Sequence, residues 1–295
     1  MTPINLVCPF PNFSQITSQL SSAEPESNLR RRVLPSRELC HPIRRWPQEP
    51  TKDIVIRTTN PDAIQISLAV TQGWQNLKHD HILNYSQVIH DCRTPVFIQP
   101  VCNNGNIVDY YIRAYSQDQL PITLREAAQG LQFLHSQGIT HGRVHGSNIL
   151  MDDEGHAKIT DFGLYPIVNP LAGDIRDPFL WWKAPEQLIP TDGPEILHGS
   201  FEADVYSFGL TIIEVCTSRR PFADIQHPIR FLMELSNNVE FAMTIPKPAR
   251  IPEDLWSTFR LCCAGKPEMR PCFAGLVFFL LSQDKTTSAG VTSTM

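Results

Sequence analysis

Three short blocks gather the residues whose types could do chemistry: H-G-R-V-H-G-S-N at 141–148, D-F-G at 161–163 and A-P-E at 184–186. Asn148 and Asp161 bring a neutral and an anionic oxygen donor, the donor types that suit a hard cation. His141 and His145 stand four apart like the pair of a helical H-E-x-x-H zinc site. However, Gly142 takes the place of the glutamate, and the glycines make this stretch a loop. Arg143, in the middle of the first block, is a permanent cation with a pKa above ~12, so it can attract anions but cannot accept a proton.

The order and spacing of these blocks resemble the catalytic loop, metal-binding turn and activation-segment end of protein kinases. The neighbouring segments F-L-H-S-Q-G-I-T-H, E-A-D-V-Y-S-F-G-L and K-P-E-M-R-P-C-F resemble the corresponding kinase stretches. Upstream, L-K-H-D-H-I-L and C-N-N-G-N-I-V-D-Y look like the run from the αC helix through the hinge. The resemblance spans residues 53–283 and is closest to the tyrosine-kinase-like group. It implies an α+β, two-lobed protein-kinase-like fold with a reduced β-rich N-lobe and a helical C-lobe.

The resemblance also implies roles, and several are unfilled. Phosphoryl transfer is mostly positioning and electrostatics: glycine-loop amides and a lysine hold phosphates, Mg2+ bridges them, and an aspartate receives the hydroxyl proton. Asn148 and Asp161 match the two magnesium ligands. The catalytic aspartate, third residue of H-R-D, is replaced by Arg143, a loss worth ~10² to 10⁴ in rate. Gly142 displaces the arginine of that motif, and His145 replaces the lysine two positions after the aspartate. His141 matches the histidine that opens it, a structural position.

On the nucleotide side, the first glycine of the sequence is Gly73, so no G-x-G-x-x-G loop precedes the strand D-I-V-I-R-T-T. The phosphate-binding lysine is best matched by Arg57, which keeps charge but not shape, and its glutamate partner by Val70; Lys52 is the nearby alternative. With Gln99 as gatekeeper, adenine would use the Pro100 carbonyl and the Cys102 N–H, both of which survive, since proline lacks only its own N–H. Residues 164–183 contain no serine or threonine, and Tyr165 is their only hydroxyl. The scaffold positions are kept: Glu186 and Arg270 resemble the buried ion pair of the family, and Asp204 the aspartate that braces the catalytic loop.

The expectation is therefore a pseudokinase that acts as a protein-binding or scaffolding module, with weak or no binding of ATP and Mg2+. The alternative is an active Ser/Thr or Tyr kinase that uses Asp161 and Asn148 on Mg2+ and Arg57 on phosphate.

Composition bounds the elements that must position these residues. The sequence has 295 residues, 42% of them hydrophobic and 19% charged, which suits a globular chain of one large domain or two joined lobes. A net charge of −5 argues against a nucleic-acid partner. The longest apolar run, from Cys272 to Leu281, is about half the ~20 residues of a membrane span, and the start lacks the cationic region of a secretory signal. Eight cysteines without a C-x-x-C pair read as reduced thiols in the cytoplasm or nucleus.

Eight of the 25 prolines fall in residues 1–50, together with Arg30, Arg31, Arg32, Arg37, Arg44 and Arg45, which marks an irregular arm. Residues 51–102 then form the small lobe, 103–284 the large lobe and 285–295 a polar, disordered tail. A strand is expected at D-I-V-I-R-T-T and a helix over 63–77, followed by a second strand at T-P-V-F-I-Q-P-V-C. Leu124, Ala128, Leu131 and Leu134 predict a helix closed by Gly138, and N-I-L-M with H-A-K-I-T a hairpin around D-D-E-G.

Overall fold

Runs of β-branched and aromatic residues such as D-I-V and P-V-F-I favour the pleated backbone. In the computed structural model, which describes residues 51–55, 74, 77–85, 87–91, 94–113, 118–163, 175, 177–189, 199–249 and 251–289, they form an antiparallel sheet. Its strands are β1 (Thr51–Val55), β2 (Gln87–Asp91) and β3 (Thr94–Pro100), ordered β1-β3-β2. The register sets Lys52 opposite Gln99, and Val88 opposite Phe97. β2 has a weak sequence signal, since Q-V-I-H-D alternates over too few residues; its place comes from pairing with β3.

β1 begins at Thr51, ahead of the expected Asp53. Arg57, Val70 and most of the helix expected over 63–77 lie outside the described residues, as do residues 1–50. Trp74 is helical, but Leu77 is not, and its N–H bonds back to the Trp74 carbonyl at 2.9 Å. The expected helix therefore stops short of Leu77.

After β3 the chain turns through 103–105 into α1 (Ile107–Arg113). Asn106 caps that helix, accepting the Asp109 N–H at 2.9 Å while its own amide donates to the Asp109 carboxylate at 2.7 Å. The next helix, α2 (Leu120–Ser136), carries the predicted apolar stripe: Leu120, Leu124, Ala127, Ala128, Leu131 and Leu134 are all fully buried. Burial of each leucine on that stripe stabilises the fold by ~1.5 to 3 kcal/mol. Gly138 ends the helix with φ 73°, and the Ile139 N–H reaches the Leu134 carbonyl at 2.9 Å.

The hairpin is present as β4 (Ile149–Met151) and β5 (Ala157–Ile159). Backbone bonds tie it to the segment at 81–83 ahead of β2 and to the turn after β3. Ile159 N–H donates to the His81 carbonyl at 2.9 Å, Leu83 N–H to the Ile159 carbonyl at 2.8 Å, and Met151 N–H to the Gly105 carbonyl at 2.8 Å. Gly130 permits this approach, because a Cβ there would fall 2.5 Å from the His81 carbonyl oxygen.

The helical part continues with a short α3 (Pro185–Leu188), then α4 (Phe201–Thr217), α5 (Pro228–Asn237), α6 (Glu253–Cys262) and α7 (Phe273–Ala289). The Ser200 hydroxyl caps α4 by accepting the Ala203 N–H at 3.0 Å. From Ala203 to Val215 that helix is buried, packed against α6, while α7 packs on α2. The last helix runs past Lys285 to Ala289, so residues 285–289 are helical where a disordered tail is expected, and 290–295 lie outside the described residues. Among the described residues no helix is long and apolar enough to cross a membrane.

Candidate active site

The start of the loop at 141–148 hangs from a buried carboxylate. Asp204, in the first turn of α4, accepts the His141 N–H at 2.7 Å on one oxygen and the Gly142 N–H at 2.8 Å on the other. His135 Nε2 lies 2.9 Å from the first of these oxygens. An anion at a helix N-terminus gathering backbone donors is well placed on electrostatic grounds. Gly142 takes φ 80°, a conformation that favours glycine and turns Arg143 back over the loop. His141 is buried; burial lowers its pKa, partly offset by Asp204 and Asp161, and its Nδ1 accepts the Arg143 N–H at 3.2 Å.

Asn148 and Asp161 flank the hairpin. Asn148 is buried at the end of a one-turn 3-10 helix, and its amide donates to the Arg143 carbonyl at 2.9 Å, which leaves its side-chain oxygen as the donor for a cation. Asp161 takes φ 60°, unusual outside glycine and asparagine, and Gly163 follows at φ 68° with its N–H on the His141 carbonyl at 3.2 Å. Phe162 between them is fully buried and meets Trp74 edge-on at 5.0 Å. The donor set therefore fits a Mg2+ site shared with phosphate oxygens. Among the described residues no three His, Cys, Asp or Glu side chains cluster as a metal site, zinc at His141 and His145 included.

Arg143 does not reach toward this pair; it is enclosed by residues 177–183. Its guanidinium lies 4.1 Å over the Phe179 ring and 3.7 Å from Asp177, which also pairs with Lys183 at 2.8 Å. Phe179 in turn stacks on His145 at 4.0 Å and 11°. Burial pushes the Asp177 carboxyl up, but Lys183 and Arg143 outweigh it and hold the pKa below the usual range. His145 is pushed well down, by burial first and then by Arg143, so a neutral ring faces Phe179. Asp177, Phe179 and Lys183 have no signal in the sequence blocks, because each is a single residue in an aperiodic loop.

Two further supports surround the loop. Arg270 grips Glu186 in a bidentate pair at 2.6 and 2.9 Å, and spends its remaining donors on the carbonyls of Ala264, Gly265 and Glu202. Glu214 of α4 accepts the Gly146 N–H at 2.8 Å and the Trp182 indole N–H at 3.0 Å. Burial raises its pKa to about 7 against these two donors. Sequence reasoning did not single out Glu214; its signal was only a carboxylate near the end of the apolar run V-Y-S-F-G-L-T-I-I-E-V.

On the nucleotide side, Gln99 is 1% exposed and its Oε1 accepts the Thr160 hydroxyl at 2.7 Å. Pro100 and Cys102 follow it, half-buried, and the Cys102 carbonyl accepts the Gly105 N–H at 3.1 Å to close the turn. Arg57 lies outside the described residues, whereas backbone pairing sets Lys52 opposite Gln99.

Comparison with known proteins gives a consistent picture. The family described as protein tyrosine and serine/threonine kinase matches residues 46–280. Mitogen-activated protein kinase kinase kinase 1 of Arabidopsis thaliana is 29% identical over 68% of this chain and 32% of its own length. Serine/threonine-protein kinase 4 homolog A of Dictyostelium discoideum is 29% identical over 58% of this chain and 35% of its own. Mitogen-activated protein kinase kinase kinase 9 of Arabidopsis thaliana is 27% identical over 74% of this chain. The chain thus spans about a third or less of the length of these relatives.

Proposed function

This chain belongs to the protein tyrosine and serine/threonine kinase family, and we propose that it is a pseudokinase: a kinase fold that binds protein partners and transfers phosphate poorly or not at all. One observation carries the reading. The position that resembles the catalytic aspartate holds Arg143, packed on Phe179 and paired with Asp177. A guanidinium cannot take the proton of an attacking hydroxyl. Asn148 and Asp161 would hold Mg2+, which supplies charge neutralisation on phosphate, and the Pro100 carbonyl and Cys102 N–H would meet adenine. With no glycine loop ahead of β1, nucleotide affinity is weak. Signalling alongside kinases of the kind that its relatives are named for, in the cytoplasm or nucleus, fits this role.

A second reading is favoured by the intact lower site: Asp161 and Gly163 keep a tight turn, Phe162 is buried, and the Asn148 amide is fixed on the loop. In that reading the chain is an active kinase with atypical residues. Purified full chain, incubated with labelled ATP and Mg2+ or Mn2+ and a generic protein substrate, separates the two. The pseudokinase reading expects incorporation no greater than that of Asp161→Ala. Transfer that Asp161→Ala abolishes would establish the active enzyme instead.

A further inference from the structure

Asp161 already has an internal partner. The Tyr85 hydroxyl donates to its Oδ1 at 2.5 Å, across 76 residues of chain. The Thr160 hydroxyl, bonded to Gln99, lies a further 3.1 Å from the same oxygen. Tyr85 is held in place: it is 9% exposed, and its ring sits 5.3 Å from Trp74, which packs edge-on against Phe162 at 5.0 Å. A Cβ on Gly163 would meet that same Trp74 ring at 3.2 Å, so the turn carrying Asp161 is fitted to the aromatic stack.

We propose that Tyr85 is an intrinsic competitor of the metal at Asp161: its hydroxyl occupies Oδ1, so a divalent cation engages this carboxylate only after that bond is broken. The ring that bears the hydroxyl packs on Trp74, which holds the hydroxyl at the carboxylate. A hydrogen bond to a charged acceptor is stronger than a neutral one, and a short one in a buried setting is the more so. The same bond gives Asp161 a structural partner when no metal is bound, in a backbone conformation that needs one. This rests on the reading of Asp161 as a metal ligand, and is independent of whether phosphate is transferred.

Removal of the hydroxyl with the ring retained isolates the effect. The melting temperature of the full chain would be followed while Mg2+ is titrated at a fixed ATP concentration, with ATP and EDTA as the baseline. Tyr85→Phe is expected to reach its half-maximal Mg2+-dependent shift at about tenfold lower Mg2+ than the wild type, equivalent to about 1.4 kcal/mol. Tyr85→Leu serves where the phenylalanine variant does not fold, with the same expectation. The gain should vanish in Tyr85→Phe/Asp161→Ala. An equal or higher midpoint in both single variants, a gain that survives loss of Asp161, or no Mg2+-dependent shift in any variant overturns the proposal. Phosphate transfer by a chain that still shows the Tyr85 effect would sink only the pseudokinase reading.

Discussion

The Arg143 guanidinium lies 4.1 Å over the Phe179 ring, and the far face of that ring system is completed by His145, stacked at 4.0 Å. Cation, ring and neutral imidazole form a layered contact between the loop at 141–148 and the segment at 177–183. Such a contact contributes ~0.5 to 2 kcal/mol, more as it is desolvated.

Arg143→Asp is therefore expected to destabilise the chain without creating a kinase. The new carboxylate would face Asp177, now 3.7 Å from a guanidinium, and repulsion in a buried setting costs about 1 to 3 kcal/mol. Restoring a base recovers at most ~10⁴ in rate and leaves the phosphate anchors missing. A lower melting temperature together with no labelled product is the expected result. Transfer at a rate typical of kinases would show that the upper half of the site works.

Truncation of the Glu186–Arg270 pair should have unequal effects on its two sides. Arg270→Ala strands the Glu186 carboxylate and three carbonyls, at ~3 to 5 kcal/mol. Glu186→Ala leaves a guanidinium that still has those carbonyls, so it costs less. Urea denaturation should rank Arg270→Ala below Glu186→Ala, and both below Asp161→Ala. Equal midpoints for all three would remove the scaffold role.

Glu214 makes stability depend on pH. Its folded pKa of about 7 lies above the ordinary 4.5, so the folded chain holds a proton that the unfolded chain has released. That contribution is fully present below 4.5 and is lost as pH rises through 7. Between pH 6 and 8 the loss is about 1 kcal/mol. His141 and His145, whose pKa values are depressed by burial, act in the opposite sense near pH 6.5. The difference between wild type and Glu214→Gln isolates the carboxylate: the variant should gain relative stability from pH 6 to 8. A pH-independent difference would show that Glu214 is not protonated in the fold.

Gly146→Ala tests the packing under the loop. A Cβ there would fall 2.4 Å from Val108 Cγ2 and 3.0 Å from a Glu214 carboxylate oxygen. Overpacking of this kind costs ~1 to 3 kcal/mol. A matching fall in melting temperature is expected, whereas an unchanged value would mean that α1 can shift away from the loop.

Sequence alone determined the parts whose signals are local. The apolar stripe from Leu120 to Leu134 repeats with the helical period, and D-D-E-G between two short apolar runs dictates a hairpin. The three blocks at 141–148, 161–163 and 184–186 carry in residue type and spacing the resemblance that sets Arg143 at the position of a base. The end of α7 lacks such a signal: the polar residues after Lys285 carry no apolar period, yet the helix continues to Ala289.

Tertiary structure decided what lies across the chain. Tyr85 meets Asp161 over 76 residues, and Asp177 meets Arg143 from an aperiodic loop, contacts that neither periodicity nor spacing encodes. The register that sets Lys52 opposite Gln99 is likewise a property of two paired strands. A hydrogen bond or ion pair between distant segments depends on the turn geometry and packing that bring them within about 3 Å. One tyrosine or aspartate in a sequence carries no mark of that partner until the chain has folded around it.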